Sequence, residues 1–154
     1  MDIVLNNKKE ISGTHWIEFN TTGTLSHYNY YDDNSKYLNE YAYNFFTDIF
    51  EKVADTFNYY GETRFDKEKL LKLKQEIKNR IDTIGQLHTL EDIIILAEKT
   101  SNSLDLTHFI ESTSDKQTSQ HYKLVIDLEK LGQDLYEMID NCIKQDKVLR
   151  ILGI

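Results

Sequence analysis

Aromatic side chains are concentrated in less than a third of this chain. Of its 18 Phe, Trp and Tyr residues, 14 lie between positions 16 and 60. Some of these rings must enter a hydrophobic core, because aromatic side chains contribute large buried areas. The segment Tyr28-Asn29-Tyr30-Tyr31, however, would point tyrosines to both sides if it were extended. Two interpretations therefore stay open, an aromatic core with tyrosine hydroxyls reaching water or a tyrosine-rich binding surface.

Residues 1–31 have the composition and alternation of β-structure. Asp2–Leu5 is a short strand candidate, and Thr14–Phe19 is a second one, rich in β-branched and aromatic residues. Asn20–Gly23 has the composition of a hairpin turn, after which Thr24–Tyr31 would be the returning strand. The pattern predicts a small antiparallel hairpin or meander at the start of the chain.

Helical spacing dominates the rest of the sequence. Between Tyr37 and Phe57 apolar residues cover most of a helical circumference, which is typical of a central helix. Asp66 is a suitable N-cap for a second helix that would end at Gly85. Thr89–Asp92 resembles a capping box that would start a third, shorter helix.

The last helix is predicted to start at the capping box Ser114–Gln117 and to run to about Lys147. Its apolar residues alternate by three and four positions, which is the pattern of an a/d seam. Such a seam packs either on other helices of the same chain or on a second copy in a homodimer. Its members are His121, Leu124, Leu128, Leu131, Leu135, Met138 and Cys142.

Together these patterns predict one α+β domain over residues 1–154, mostly helical. A small N-terminal antiparallel β-meander or hairpin (1–31) would be followed by a bundle of four to five helices (35–154). The one cysteine, Cys142, excludes an intramolecular disulfide and favours a reducing, cytoplasmic location. The longest apolar run, Ile93–Ala97, is far shorter than the ~20 residues of a spanning helix, so we expect no membrane segment.

Catalytic signatures are missing from the sequence. It contains no glycine-rich phosphate loop, no G-x-S-x-G and no H-E-x-x-H, so we expect no enzyme activity, no cofactor and no metal. One alternative is a helical oligomerisation or structural protein that uses the last helix. Another is a small enzyme or metal-binding protein in which His15 and His27 face each other across the hairpin near Asp32 and Asp33. Such a cluster would suit acid–base chemistry or a metal ion.

Charge narrows the classes of partner. The formal net charge is −8, which argues against direct nucleic-acid binding and suits a basic protein partner. In composition the chain resembles small inhibitors such as toxin-immunity proteins and phage-encoded inhibitors of host defence. That resemblance implies a non-enzymatic inhibitor that blocks a basic enzyme surface, partly by mimicking nucleic-acid charge. The expected contact residues are Trp16, Glu18, Tyr28, Tyr30, Tyr31, Asp32 and Asp33.

Overall fold

The structure is a computed structural model that describes residues 3–13, 15–22, 27–58, 60–100 and 119–153. These residues form a five-stranded antiparallel sheet with helices packed on one face, so the predicted α+β class is confirmed. In chain order the elements are β1 (Asn6–Asn7), β2 (Trp16–Asn20), β3 (Lys36–Asn39), α1 (Glu40–Tyr43), α2 (Thr47–Val53), β4 (Glu62–Phe65), α3 (Lys67–Ile84), α4 (Leu90–Thr100), α5 (Ser119–Lys144) and β5 (Leu149–Gly153).

The sheet takes strands from both ends of the chain. Its order is β1-β3-β2-β5-β4, with every neighbouring pair antiparallel. The C-terminal strand β5 thus lies between β2 and β4. Because side chains alternate along a strand, the sheet has two faces. Its inner face carries Phe19, Leu38, Phe65 and Ile151, which belong to the hydrophobic core shared with the helices.

Helices α3 and α5 pack against each other and supply much of that core. A Cβ added at Gly132 of α5 would lie 2.7 Å from Cγ1 of Ile81 on α3, so the two helices approach closely there. The predicted seam of α5 is therefore occupied within the chain rather than exposed for a second copy. Its buried members are Leu124, Leu128, Leu131, Leu135 and Cys142.

The single helix predicted from Tyr37 to Phe57 is wrong. Residues 36–39 form β3, and two short helices, α1 and α2, follow it with a turn at 44–46 between them. The apolar arc nevertheless marks burial correctly, since Phe45, Phe46 and Phe50 are fully buried. In a segment surrounded by apolar neighbours, spacing alone does not separate one helix from several short elements.

The predicted hairpin is also wrong in its second strand. The residues of Thr24–Tyr31 that the structure describes, 27–31, form no strand, and β3 pairs with β2 instead. Positions 23–26 lie outside the described residues. The strand expected at Asp2–Leu5 is found at Asn6–Asn7. The sequence analysis does not predict strands β4 and β5. Instead of a hairpin followed by a helical bundle, the structure has one sheet with strands from both halves of the chain.

Helix ends follow the capping signals more closely. Asp66 Oδ1 accepts a 3.1 Å hydrogen bond from the backbone N–H of Lys69, and α3 ends just before Gly85. Thr89 and Asp92 exchange backbone-to-side-chain bonds of 2.9 and 3.1 Å, as in a capping box.

The last helix ends at Lys144, three residues earlier than predicted, and the box expected at Ser114–Gln117 lies outside the described residues. Within the described ranges, no helix is both long and apolar enough to cross a bilayer.

Candidate functional site

Residues 27–35, which we call the strap, belong to the connection that leads from β2 to β3 along the chain. They lie across the outer face of the sheet. At one end the Tyr28 hydroxyl donates a 2.6 Å hydrogen bond to Oε2 of Glu62 on β4. Three residues further along, Lys8, which lies just after β1, donates to the Tyr31 carbonyl oxygen at 2.6 Å. Since β1 and β4 are the two edges of the sheet, the strap spans its width.

Glu18 holds the middle of the strap from below. It lies on the outer face of β2 and is fully buried. Its Oε2 accepts from the backbone N–H of Tyr31 at 2.8 Å, and its Oε1 accepts from the N–H of Asp32 at 3.2 Å and from the Ser35 hydroxyl at 2.6 Å. The Asn20 amide also donates to Oε1, at 3.2 Å. Both oxygens therefore act as acceptors, which is the role of a carboxylate.

Arg150 is the second charged group beneath the strap. It lies on β5, only 1% of its side chain is exposed, and its Nε donates to Oε1 of Glu62 at 2.9 Å. Its guanidinium carbon lies 4.4 Å from the centroid of the Tyr28 ring, so Tyr28 touches both members of the ion pair. Burial, followed by the hydrogen bond to Glu62, raises the pKa of the Tyr28 hydroxyl above its ordinary value. The raised pKa favours the protonated hydroxyl, which is the form that donates to Glu62.

Two tyrosine rings on the strap face solvent. Tyr30 is 66% exposed and Tyr31 is 43% exposed. The Tyr30 ring lies 5.1 Å from the Tyr28 ring, and the Tyr31 ring packs edge-on against Tyr37 at 5.6 Å. Each ring is thus supported on one side and open on another. Large, supported aromatic groups with a polar tip are typical anchors of protein interfaces.

The backbone of the strap has an unusual conformation at one of these two tyrosines. Tyr31 has a φ of +54°, in the left-handed region that bulky residues seldom adopt. Such a conformation costs on the order of 1–3 kcal/mol and persists only where the surroundings impose it. Here the backbone of Tyr31 is held on both sides, since its N–H donates to Glu18 and its carbonyl oxygen accepts from Lys8.

The strap is less acidic than its sequence indicates. Asp33 is exposed, but it forms a 2.9 Å ion pair with Lys8, whose hydrogen bond and charge lower the pKa of the Asp33 carboxyl. The Asp32 carboxylate accepts from the backbone N–H of Asn34 at 2.8 Å, which closes a local turn. Lys8 therefore offsets much of the negative charge beside the exposed tyrosines.

The predicted contact residues fall into an exposed group on the strap, a half-buried group on the strap, and a group on β2. Tyr30, Tyr31 and Asp33 are exposed on the strap. Asp32 and Tyr28 belong to the strap but are half-buried.

Two further members of the predicted set lie on β2 rather than on the strap. Glu18 is buried beneath the strap and does not reach solvent, so its role in any binding surface is to position the strap. The half-buried Trp16 has its indole N–H directed to the Ser12 carbonyl oxygen at 3.1 Å.

The alternative site at the two histidines loses its geometric basis. Because β2 pairs with β3, His15 and His27 are not opposed in a hairpin. The Nδ1 of His15 instead lies 3.0 Å from Oε2 of Glu40, at the start of α1. In the ranges that the structure describes, no group of three or more His, Cys, Asp or Glu residues is arranged to hold a metal ion.

Cys142 is buried in the core, and burial raises the pKa of its thiol to about 11. The thiolate, which is the reactive form, is therefore scarce at neutral pH.

Sequence reasoning missed three residues that shape the site: Lys8, Glu62 and Arg150. Lys8 and Glu62 lie in short polar stretches without a periodic pattern. Arg150 stands between Leu149 and Ile151, which is the alternation of a strand with one apolar and one polar face. This short pattern is a weak sequence signal for the position of Arg150 on the polar face.

Comparison of the chain with protein-family models, with curated proteins and with solved structures gave no match in any of the three. Any proposal of function therefore depends on the geometry of the site and on the charge of the molecule.

Proposed function

We propose that this chain is a non-enzymatic protein-binding inhibitor, of the toxin-immunity or phage anti-defence type, that blocks a basic surface of a partner enzyme. The observation that supports the proposal is the strap, on which Tyr30 and Tyr31 are exposed while Glu18 and Arg150 hold the segment from below. A surface that is already ordered loses little conformational entropy when it binds, so more of the contact energy contributes to affinity.

Charge and contact have separate tasks in this proposal. The net charge of −8 attracts a basic partner and accelerates the encounter, and it allows part of the surface to stand in for nucleic-acid phosphates. On the strap itself, Lys8 neutralises one of the two carboxylates, that of Asp33, so little negative charge remains beside the rings. The tyrosine rings are therefore the anchors that determine how long the complex lasts. A cytoplasmic location is part of the same proposal.

Affinity capture with matched variants tests the contact surface. The test variant is Tyr30→Ala with Tyr31→Asn, since asparagine tolerates the left-handed conformation at position 31. Tyr122→Ala is the control, because the exposure of Tyr122, 57%, lies between those of Tyr31 and Tyr30, but Tyr122 lies on α5, on the other side of the sheet. We expect quantitative mass spectrometry to show a protein that the wild type and the control capture and the strap variant loses. Equal capture by all three proteins would exclude the strap as the binding surface.

Kinetics with the captured partner test the division between charge and contact. Association should slow by at least about tenfold between ~50 and ~500 mM salt, because the Debye length falls from above ~10 Å to a few Å. Dissociation should change by less than about threefold, since it depends on the desolvated rings. The strap variant should accelerate dissociation instead. An association rate that does not depend on salt would contradict the basic partner.

A further inference from the structure

The connection from α5 to β5 is a tight turn that ends the helix with a Schellman motif. The Lys147 N–H donates to the Cys142 carbonyl oxygen at 2.8 Å, and the Asp146 N–H donates to the Ile143 carbonyl oxygen at 3.3 Å. This motif requires one residue in the left-handed conformation, and glycine usually occupies that position. Here the position belongs to Asp146, whose φ is +54°. The turn therefore carries a conformational cost that a glycine would avoid.

Little else holds the turn in this shape. Residues 145–147 are exposed, so they can change conformation without disturbing the core. Asp146 forms a 3.0 Å ion pair with Lys67, but both side chains are more than half exposed, and such pairs contribute little to stability. If position 146 became helical, its left-handed strain would disappear and α5 would continue through the turn. The chain would then no longer reverse, and β5 would leave its own sheet.

Strand β5 fills a gap in the middle of the sheet. It lies between β2 and β4 and pairs with both, and its residues Leu149–Leu152 are each at most 2% exposed. Without β5 the sheet would expose two strand edges and part of the core. The pairing partners and the alternation of the two faces are specific to this sequence. The occupant that restores every one of these contacts is β5 of a second copy.

We propose that two copies of this chain exchange β5, so that the strand of each copy completes the sheet of the other. The contacts of β5 are the same in the monomer and in this exchanged dimer, and the two forms differ mainly at the turn 145–147. A short connection under strain favours such an exchange. Arg150 of one copy then lies beneath Tyr28 of the other, so that both chains build each strap. The exchange does not require the function proposed above.

Size-exclusion chromatography with light scattering tests the exchange. The chain is unfolded in urea and refolded at ~10 µM and at ~1 mM, since a bimolecular product gains from concentration. We expect a dimer whose share increases with concentration. Asp146→Gly should lower the dimer association constant by about tenfold or more, because glycine removes the strain of the monomer. Asp146→Ala should raise the constant by about tenfold or more, because alanine favours the helix and disfavours the left-handed turn. Each dimer contains two turns, so every substitution acts twice.

The comparison of these two variants isolates the backbone conformation. Both remove the Asp146 carboxylate and its ion pair with Lys67, so a difference between them does not come from charge. Gln145→Ala is the matched control, because Gln145 is an exposed residue of the same turn without a positive φ. Its association constant should stay within about twofold of the wild type.

A disulfide distinguishes the exchanged dimer from a dimer formed through another surface. Ile17 of β2 and Gly153 of β5 are directly opposed in the sheet. Ile17→Cys with Gly153→Cys, in a chain that also carries Cys142→Ala, places two thiols across this pair. After oxidation, the isolated dimer should stay covalently linked in a denaturing gel without reductant, whereas the isolated monomer should run as a single chain.

The proposal is wrong if Asp146→Ala gives no dimer after refolding at ~1 mM. Equal association constants for Asp146→Gly and Asp146→Ala would also overturn it, since the turn would then not control the exchange. So would an oxidised dimer that separates into single chains in the denaturing gel, because each β5 would then belong to its own sheet.

Discussion

Replacing Glu18 with glutamine should destabilise the protein while preserving the size of the buried side chain. The carboxylate receives hydrogen bonds from four donors, three on Oε1 and one on Oε2. A glutamine has one acceptor oxygen, so its NH₂ group must face at least one of these donors. The least damaging arrangement keeps the oxygen at the position of Oε1 and opposes NH₂ to the N–H of Tyr31. The strap then loses one of the bonds that hold its left-handed residue, Tyr31.

The cost follows from the loss of that one bond. Hydrogen bonds to charged groups contribute about 1.5–3 kcal/mol, and a buried donor without a partner costs a similar amount. We therefore expect Glu18→Gln to lower the free energy of unfolding by about 2–4 kcal/mol in urea titrations. Glu51→Gln is the control, since Glu51 is exposed on α2, and it should stay within ~0.5 kcal/mol of the wild type. A loss at Glu18 no larger than at Glu51 would refute the role assigned to the carboxylate.

Three further predictions concern the core. Phe45→Ala should cost about 3–5 kcal/mol in urea unfolding, because Phe45 is fully buried, and a loss under ~1 kcal/mol would place it at the periphery. Gly132→Ala should destabilise by about 1–2 kcal/mol, since the contact with Ile81 outweighs the helix-propensity gain of ~1 kcal/mol, and a rise in Tm would contradict the close packing of α3 and α5. Folding keeps the Cys142 thiol protonated up to a pKa of about 11, whereas the unfolded chain loses that proton at lower pH. Stability should therefore fall by about 1–2 kcal/mol between pH 8 and pH 10 beyond the change seen in Cys142→Ala, and equal slopes for the two proteins would contradict it.

The long helices were predictable because local signals agree with their packing. Helix α3 begins at the cap residue Asp66 and buries Leu70, Leu73 and Ile77 on one face. The a/d spacing of α5 likewise identifies the residues that α3 covers. The periodicity of both helices and the cap of α3 act over a few residues, which is the range that a single sequence reports well.

The sheet was not predictable in the same way, because its pairing is non-local. Glu18 pairs with Leu152 across more than 130 positions of sequence, and nothing near either residue indicates the other. The support of the strap depends on the same pairing of β2 with β5, because this pairing brings Arg150 of β5 beneath Tyr28. The sequence therefore identified the tyrosines of the candidate site but not the buried charges that hold them.

The residues that support the strap and the residues that enter the core alternate along the same strands. On β2, Phe19 enters the core while Glu18 holds the strap, and on β5, Ile151 enters the core while Arg150 lies beneath Tyr28. A shift of one residue in pairing would move each of these side chains to the wrong face. The hydrophobic core therefore stabilises the register that presents the strap. Under the proposed function, this explains how a segment without regular secondary structure stays ordered enough to serve as a preformed surface.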